Sequence, residues 1–199
     1  MTPLHEVIVN KNTTNKPIWI MRQAGRYLPE FREIRKKNPN FIELCLNHKL
    51  SSEITLQPIK RFDLDAAIIF SDILMLPYGL NQKVDFKKNF GPVLGNLDIG
   101  TMSKIDEIDF VEKIYPIYKA IKSVSSKMTS MNKNTIGFVG APWTLLVYMI
   151  NQQSPKKNVK KDFFKDNFLL NRILLIIEKF LKIHIKNQIE NGANIIQIF

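Results

Sequence analysis

The sequence predicts an α/β fold built on a parallel sheet, on three observations. Short apolar segments alternate with amphipathic helical segments, an order that implies parallel pairing through helical crossovers. Two of the segments, Asp65–Phe70 (DAAIIF) and Thr135–Val139 (TIGFV), are apolar at successive positions, as strands buried on both faces are. Residues of chemical interest sit directly after the predicted strands.

In chain order, Pro17–Met21 (PIWIM) reads as a short strand. Glu30–Lys37 and Phe41–Leu46 read as helices on either side of Asn38-Pro39, and Leu50–Arg61 as a helix with Pro58 near its end. Asp65–Phe70 is the second strand. Asp109–Met128 is helical, with Phe110, Ile114, Ile117, Ile121 and Val124 at three- and four-residue spacing, and Pro116 should kink it or move its start. Thr135–Val139 is the third strand, and Pro142–Asn151 a helix with proline at its first turn. Asp162–Asn191 is one long helix or a broken pair, stopped by Gly192. Asn194–Phe199 (NIIQIF) is a further strand. Two architectures fit, a doubly wound sheet and a (β/α)8 barrel. No G-x-G-x-x-G follows a strand and no P-loop motif is present, so a nucleotide-binding doubly wound sheet lacks its usual signature. A barrel carries its chemistry in the loops after its strands, where Arg22 to Arg26, Ser71-Asp72 and Gly140 to Trp143 fall.

Of the 199 residues, 45% are hydrophobic and 24% charged, which excludes a disordered or collagen-like chain. No apolar run approaches the roughly 18 residues of a membrane span, and Met1 to Lys16 has no secretory apolar core. The lone Cys45 makes no internal disulfide, and His5, His48 and His184 have no metal-ligand spacing. A cytoplasmic location, with no membrane partner and no metal, is the expectation. The net charge of +11 raises a nucleic-acid reading. It comes, however, from 23 Lys against 6 Arg, beside 18 Asn, a bias that AT-rich codons explain. The Lys36-Lys37, Lys87-Lys88 and Lys156–Lys161 clusters read as solvated faces.

The arginines are placed differently: Arg22, Arg26, Arg32 and Arg35 lie within one short stretch. Arg32 and Arg35 read as the exposed face of a helix beside Glu30 and Glu33. Arg22 and Arg26, in a loop with Gly25 and Pro29, suit two-point binding of carboxylates or phosphates, which lysine cannot provide. Asp72 after its apolar strand has two readings, a cap for the next helix and a desolvated carboxylate facing ligand N–H groups or a developing cation. Tyr148 likewise reads as a core-edge aromatic or as a phenol donating to a ligand carboxylate or to Asp72.

Three motifs carry a family resemblance. Met21-Arg22-Gln23-Ala24-Gly25-Arg26-Tyr27-Leu28-Pro29-Glu30, Asp65 to Leu74 (DAAIIFSDIL) and Gly137 to Leu145 (GFVGAPWTL) are similar, in order, to the signatures of the uroporphyrinogen decarboxylases, and the likeness runs from about Pro17 to Phe199. It implies a (β/α)8 barrel acting as a homodimer without a cofactor on a tetrapyrrole, uroporphyrinogen. Carried onto this chain, it implies that Arg22 and Arg26 bind substrate carboxylates and that the Gln23-Ala24-Gly25 backbone lines the cleft. Asp72 accepts from the pyrrole N–H groups, Phe138 packs on the substrate, and Tyr148 holds Asp72 and a carboxylate. Asp72, Tyr148 and Arg22 are the catalytic candidates, with the proton donor left open. The hydroxyl residue expected after the last strand and the late histidine are absent from the sequence. Residues 1–199 are therefore expected to be the N-terminal part of a single barrel domain and inactive alone. Two rivals stand: a cobalamin or thiol methyltransferase on the same barrel, and a basic nucleic-acid-binding module.

Overall fold

The computed structural model describes residues 1–12, 14, 16–155 and 165–199. The Lys156–Lys161 cluster lies outside these residues, as does the beginning of the predicted Asp162–Asn191 helix. Three strands, β1 (Ala66–Ile68), β4 (Asn134–Val139) and β5 (Ile195–Ile198), form a parallel sheet in the order β1-β4-β5. The α/β class and parallel pairing follow the sequence reading. Between β1 and β4 the chain also makes an antiparallel hairpin, β2 (Val84–Lys87) with β3 (Gly91–Leu94), which belongs to no other sheet.

The helices are α1 (Pro3–Ile8), α2 (Pro29–Lys37), α3 (Phe41–Leu46), α4 (His48–Arg61), α5 (Met75–Gly79), α6 (Ile99–Met102), α7 (Glu107–Ser130), α8 (Pro142–Asn151) and α9 (Asn167–Glu190). Local chemistry sets their starts. Asn40, Asn47, Asp106 and Asp166 each accept a first-turn N–H, and Pro29 and Pro142 occupy first-turn positions where no N–H is needed. α7 runs through Pro116 instead of starting after it, and α9 is one continuous helix.

Strand alternation divides the core. Ala67, Ile69 and Val139 face the main cluster, in which Phe110, Ile114, Ile121, Ile173 and Phe180 of α7 and α9 are buried. Ala66, Ile68 and Ile136 face the other side, closed by Leu4 of α1 and by Trp19. Within the main core, Tyr118 of α7 and His184 of α9 share a 2.9 Å hydrogen bond between the phenol oxygen and Nδ1.

Pro17–Met21 is not a strand. Ile18, Ile20 and Met21 are exposed, and the segment is bonded beside β1 where the Asp65 N–H donates to Ile18 C=O (2.9 Å) and the Ile18 N–H to the Asp65 carboxylate (2.6 Å). Only Trp19 turns inward, so apolar composition without a continuous ladder leaves the segment an irregular strap. The sequence reading also passed over α1, α5, α6 and the hairpin.

Candidate functional site

The site is set by how two strand ends are held. The β1 ladder runs out after the Ile69 N–H reaches Ile136 C=O (3.0 Å), leaving Phe70 without a strand partner. α4 supplies the missing groups: Thr55 Oγ1 accepts from the Phe70 N–H (2.8 Å) and Ser51 Oγ donates to the Phe70 C=O (2.7 Å). On β4, Phe138 lies two residues beyond the last β1 pairing. Its N–H donates to Gln188 Oε1 (2.9 Å) and its C=O accepts from Gln188 Nε2 (3.0 Å), both from α9. Gln188 reaches the strand because residue 137 is glycine. A Cβ there would fall on Gln188 Oε1 and 2.9 Å from Ile196 Cδ1. Side chains of buried helices thus complete the ladder where the strands open toward Ser71-Asp72 and Phe138.

Beyond these ends lies a cleft of about 600 Å³. Phe41 of α3, Phe70 and Phe86 of β2 form one wall, joined edge-on or tilted at ring separations of 5.7 Å (Phe41–Phe70) and 4.5 Å (Phe41–Phe86). Phe138 and Phe199 meet edge-on at 5.7 Å on another side. Polar groups are few: Arg22, Ser71, Asp72, Thr144, Tyr148 and Ser154. A mainly apolar pocket with a handful of convergent polar groups is the usual form of a small-molecule site. It sits at the carboxyl ends of parallel strands, where α/β folds place their ligands.

Asp72 holds the turn that leads into α5, whose own N-cap is Leu74 without a side-chain bond, and it also lines the cleft. Oδ1 accepts from the Leu74 N–H (2.9 Å), capping the turn into α5. The second oxygen has no hydrogen-bond partner among the described residues, while the residue lines the cleft. Desolvation lifts its pKa to about 6, against the opposing pull of the Leu74 N–H and the positive charge of Arg22. The Arg22 guanidinium and the Tyr148 hydroxyl are also without partners among the described residues. The cleft therefore offers one carboxylate, one guanidinium and one phenol to whatever enters it.

The sequence-predicted residues separate into two groups. Arg22, Ala24, Asp72, Phe138 and Tyr148 line the cleft together. Gln23, Gly25 and Arg26 are not in its lining. Gln23 is buried with a structural task, its amide donating to Ala66 C=O (3.0 Å) and accepting from the Ile20 N–H (3.2 Å). Gly25 accepts from the Leu28 N–H in the same turn (3.0 Å). Arg26 is exposed, with its C=O accepting from Arg32 Nη1 (3.0 Å). No hydrogen bond joins Tyr148 to Asp72, so the expectation that Tyr148 holds Asp72 has no direct contact behind it among the described residues.

Arg35 corrects the sequence reading. It is half-buried, with its guanidinium carbon 5.6 Å from the centre of the Phe41 ring and Nη1 donating to the carbonyls of Asn38 (2.6 Å) and Pro39 (2.8 Å). Burial first, and then the charge of Arg26, lowers its pKa. The sequence reading also missed Phe41 and Phe86 as cleft walls, and Ser51, Thr55 and Gln188 as clamps. The hairpin that carries Phe86 had a usable signal: a three-residue loop holding Asn89, followed by Gly91 at the start of β3, both residues at positive φ. The clamps had none, because a hydroxyl or amide inside a helical pattern does not announce its backbone partner. Among the described residues, no group of three or more His, Cys, Asp or Glu side chains is arranged to hold a metal ion. No helix of the described residues is long and apolar enough to cross a membrane.

Comparison with known proteins identifies the family. The family model for uroporphyrinogen decarboxylase (URO-D) matches residues 1–199. Curated relatives named uroporphyrinogen decarboxylase include one from Campylobacter jejuni, 44% identical over 193 residues, covering 95% of this chain and 56% of the relative. Others come from Rickettsia bellii (46% over 202 residues, 95% and 56%) and Agrobacterium fabrum (41% over 197 residues, 97% and 56%). The chain spans about half the length of these relatives. Among solved structures, a methyltransferase from Methanosarcina mazei matches with a TM-score of 0.65 at 18% identity, over 83% of this chain and 50% of that one, a likeness of fold alone. By the span of the family match and the closeness of these relatives, the chain belongs to the uroporphyrinogen decarboxylase family.

Proposed function

We propose that the cleft takes uroporphyrinogen and removes carbon dioxide from its four acetate side chains, giving coproporphyrinogen in porphyrin synthesis. The observation that carries this is Asp72: a carboxylate at a strand end, in an aromatic-walled cleft, with one oxygen unpartnered and Arg22 close enough to bias its charge. The three parallel strands suit consecutive staves of a (β/α)8 barrel. The family relation is the ground for a cytosolic homodimer, for cofactor-free chemistry, and for reading Arg26 as a second carboxylate anchor at the mouth.

The chemistry needs an electron sink, and the substrate supplies it. The pyrrole ring takes a proton at the ring carbon next to the one bearing the acetate and becomes cationic. The bond to the carboxylate breaks, carbon dioxide leaves, and its electron pair neutralises the ring as an exocyclic methylene. That methylene takes a proton to become methyl, and the ring loses the one it gained. The net change consumes one proton and releases one carbon dioxide per acetate. Asp72 accepts from the pyrrole N–H groups in the ground state and faces a full positive charge in the cationic intermediate. Its stabilisation is therefore larger where the barrier lies. Arg22 takes a substrate carboxylate through two parallel N–H donors, and Tyr148 donates its phenol hydrogen to another.

The test is a pair of variants in a polypeptide of the relatives' full length, assayed with uroporphyrinogen. Arg22→Lys keeps the charge and loses the two-point fork, so substrate binding should weaken by about tenfold or more. Unchanged binding of every partly decarboxylated intermediate by Arg22→Lys and by Arg26→Lys would overturn the carboxylate assignment.

A further inference from the structure

The β2–β3 hairpin separates two clefts. Phe86 and its partner Pro92 face the cleft described above, while Lys87 and Val93, one position on, line a second cleft of about 510 Å³ on the other face. The second cleft continues to Lys88 and Phe90 in the hairpin loop and to Asn151, Gln152 and Gln153 at the end of α8.

Three features give it a chemical character. Asn151 lines the cleft and is buried at 5% exposure, and its Nδ2 has no hydrogen-bond partner among the described residues, so a buried donor lacks an acceptor. Lys87 and Lys88 make no ion pair among the described residues. Phe90 is 51% exposed, an aromatic face left in water beside Val93. Neighbouring polar groups have hydrogen bonds within the fold. Asp85, on the same strand face, is outside the lining and accepts from the Phe86 N–H (2.7 Å). The α8 carbonyls of Tyr148 and Met149 accept from the Gln152 N–H (2.9 Å) and from Gln82 Nε2 (3.0 Å), which blunts the negative end of that helix. Gln152 Nε2 is committed to Asn96 Oδ1 (2.9 Å).

We propose that this cleft is a second binding site, for a small organic carboxylate with an apolar body. Asn151 Nδ2 and the two ammonium groups take the carboxylate, and Phe90 and Val93 cover the body. The half-apolar lining favours this ligand over a bare phosphate, which would leave the Phe90 ring in water. The site is independent of the decarboxylation reading, because none of its residues lines the first cleft.

Benzoate is a suitable probe, titrated against the 15N-labelled protein with inorganic phosphate as the comparison. Saturable shifts are expected at the amides of Lys88, Phe90 and Gln153. Affinity should fall about tenfold or more in Lys87→Gln/Lys88→Gln, two exposed positions whose change leaves the fold alone. Asn151→Leu should weaken binding further, and Arg22→Gln, in the first cleft, should leave it unchanged. The proposal fails if these amides do not saturate, if the double variant binds benzoate as well as the parent, or if the shifts disappear in Arg22→Gln. Phosphate binding as tightly as benzoate would overturn the choice of an apolar carboxylate.

Discussion

Two regions hold ionisable side chains away from water, and they treat them in opposite ways. In the α7–α9 seam, Tyr118 and His184 meet at 2.9 Å inside a sheath of Phe110, Phe180 and their neighbours. Each satisfies the other. Burial drives the imidazole pKa down to about 4 and the phenol's well up, so both stay neutral. In the cleft, Asp72 has one oxygen bonded and one free, Arg22 and Tyr148 have no partner among the described residues, and the carboxyl pKa is raised to about 6. A closed polar pair contributes to the fold. A carboxylate left open while desolvated, as that of Asp72 is, weakens the fold and becomes useful when something else completes it. The two regions should therefore respond to substitution with opposite signs.

The largest effect is expected at the clamp between them. Gln188→Leu removes both bonds to Phe138 and leaves a strand N–H and C=O unpaired, a loss of about 2–4 kcal/mol. Denaturant unfolding should show it as a lower midpoint at unchanged slope.

Tyr118→Phe comes next. It leaves His184 Nδ1 buried without a partner and should lower stability by about 1–3 kcal/mol, with carboxylate binding in the cleft unaltered. Asp72→Asn should do the reverse: at neutral pH it removes a charge the fold disfavours and should raise stability by on the order of 1–3 kcal/mol. A loss of stability in Asp72→Asn, or a gain in Tyr118→Phe, would break the comparison.

The smallest effect is in pH dependence, where the two groups oppose each other. The pKa of His184 is lower folded (about 4) than unfolded (6.5), so its contribution is complete above 6.5 and is lost as pH falls through 4. That of Asp72 is higher folded (about 6) than unfolded (3.8), so its contribution is complete below 3.8 and is lost as pH rises through 6. Between pH 4 and 6 the two slopes largely cancel. Relative to the parent, Asp72→Asn should lose stability more steeply on acidification in this window. His184→Gln should instead gain stability as pH falls. Parallel stability curves for all three proteins would contradict both assignments.

The sequence held much of this fold, for reasons visible at particular residues. β1 and β4 were legible because Ala66–Ile68 and Asn134–Val139 are buried on both faces and their composition says so. α7 and α9 were legible because their apolar residues keep a helical period over many turns. Pro17–Met21 misled because apolar residues there are held by two bonds to Asp65 and left in water. In the site, the stretch from Arg22 to Arg26 was legible as a motif but not in its division of labour. Gln23 fastens the loop to β1 while Arg22 and Ala24 face the cleft, and only the backbone path decides which residue does which. Arg35 looked like surface charge because its acceptors, the Asn38 and Pro39 carbonyls, are backbone groups that no side-chain pattern reveals.

The central proposal is that the open carboxylate of Asp72 stabilises the cationic ring. The direct measurement is turnover of uroporphyrinogen by Asp72→Asn, in a polypeptide of the relatives' full length, with substrate affinity measured alongside. The shape of the side chain survives and the charge facing the cationic ring does not. The account predicts that kcat falls by about a hundredfold or more while substrate still binds. Decarboxylation by Asp72→Asn at a near-parental rate would contradict it.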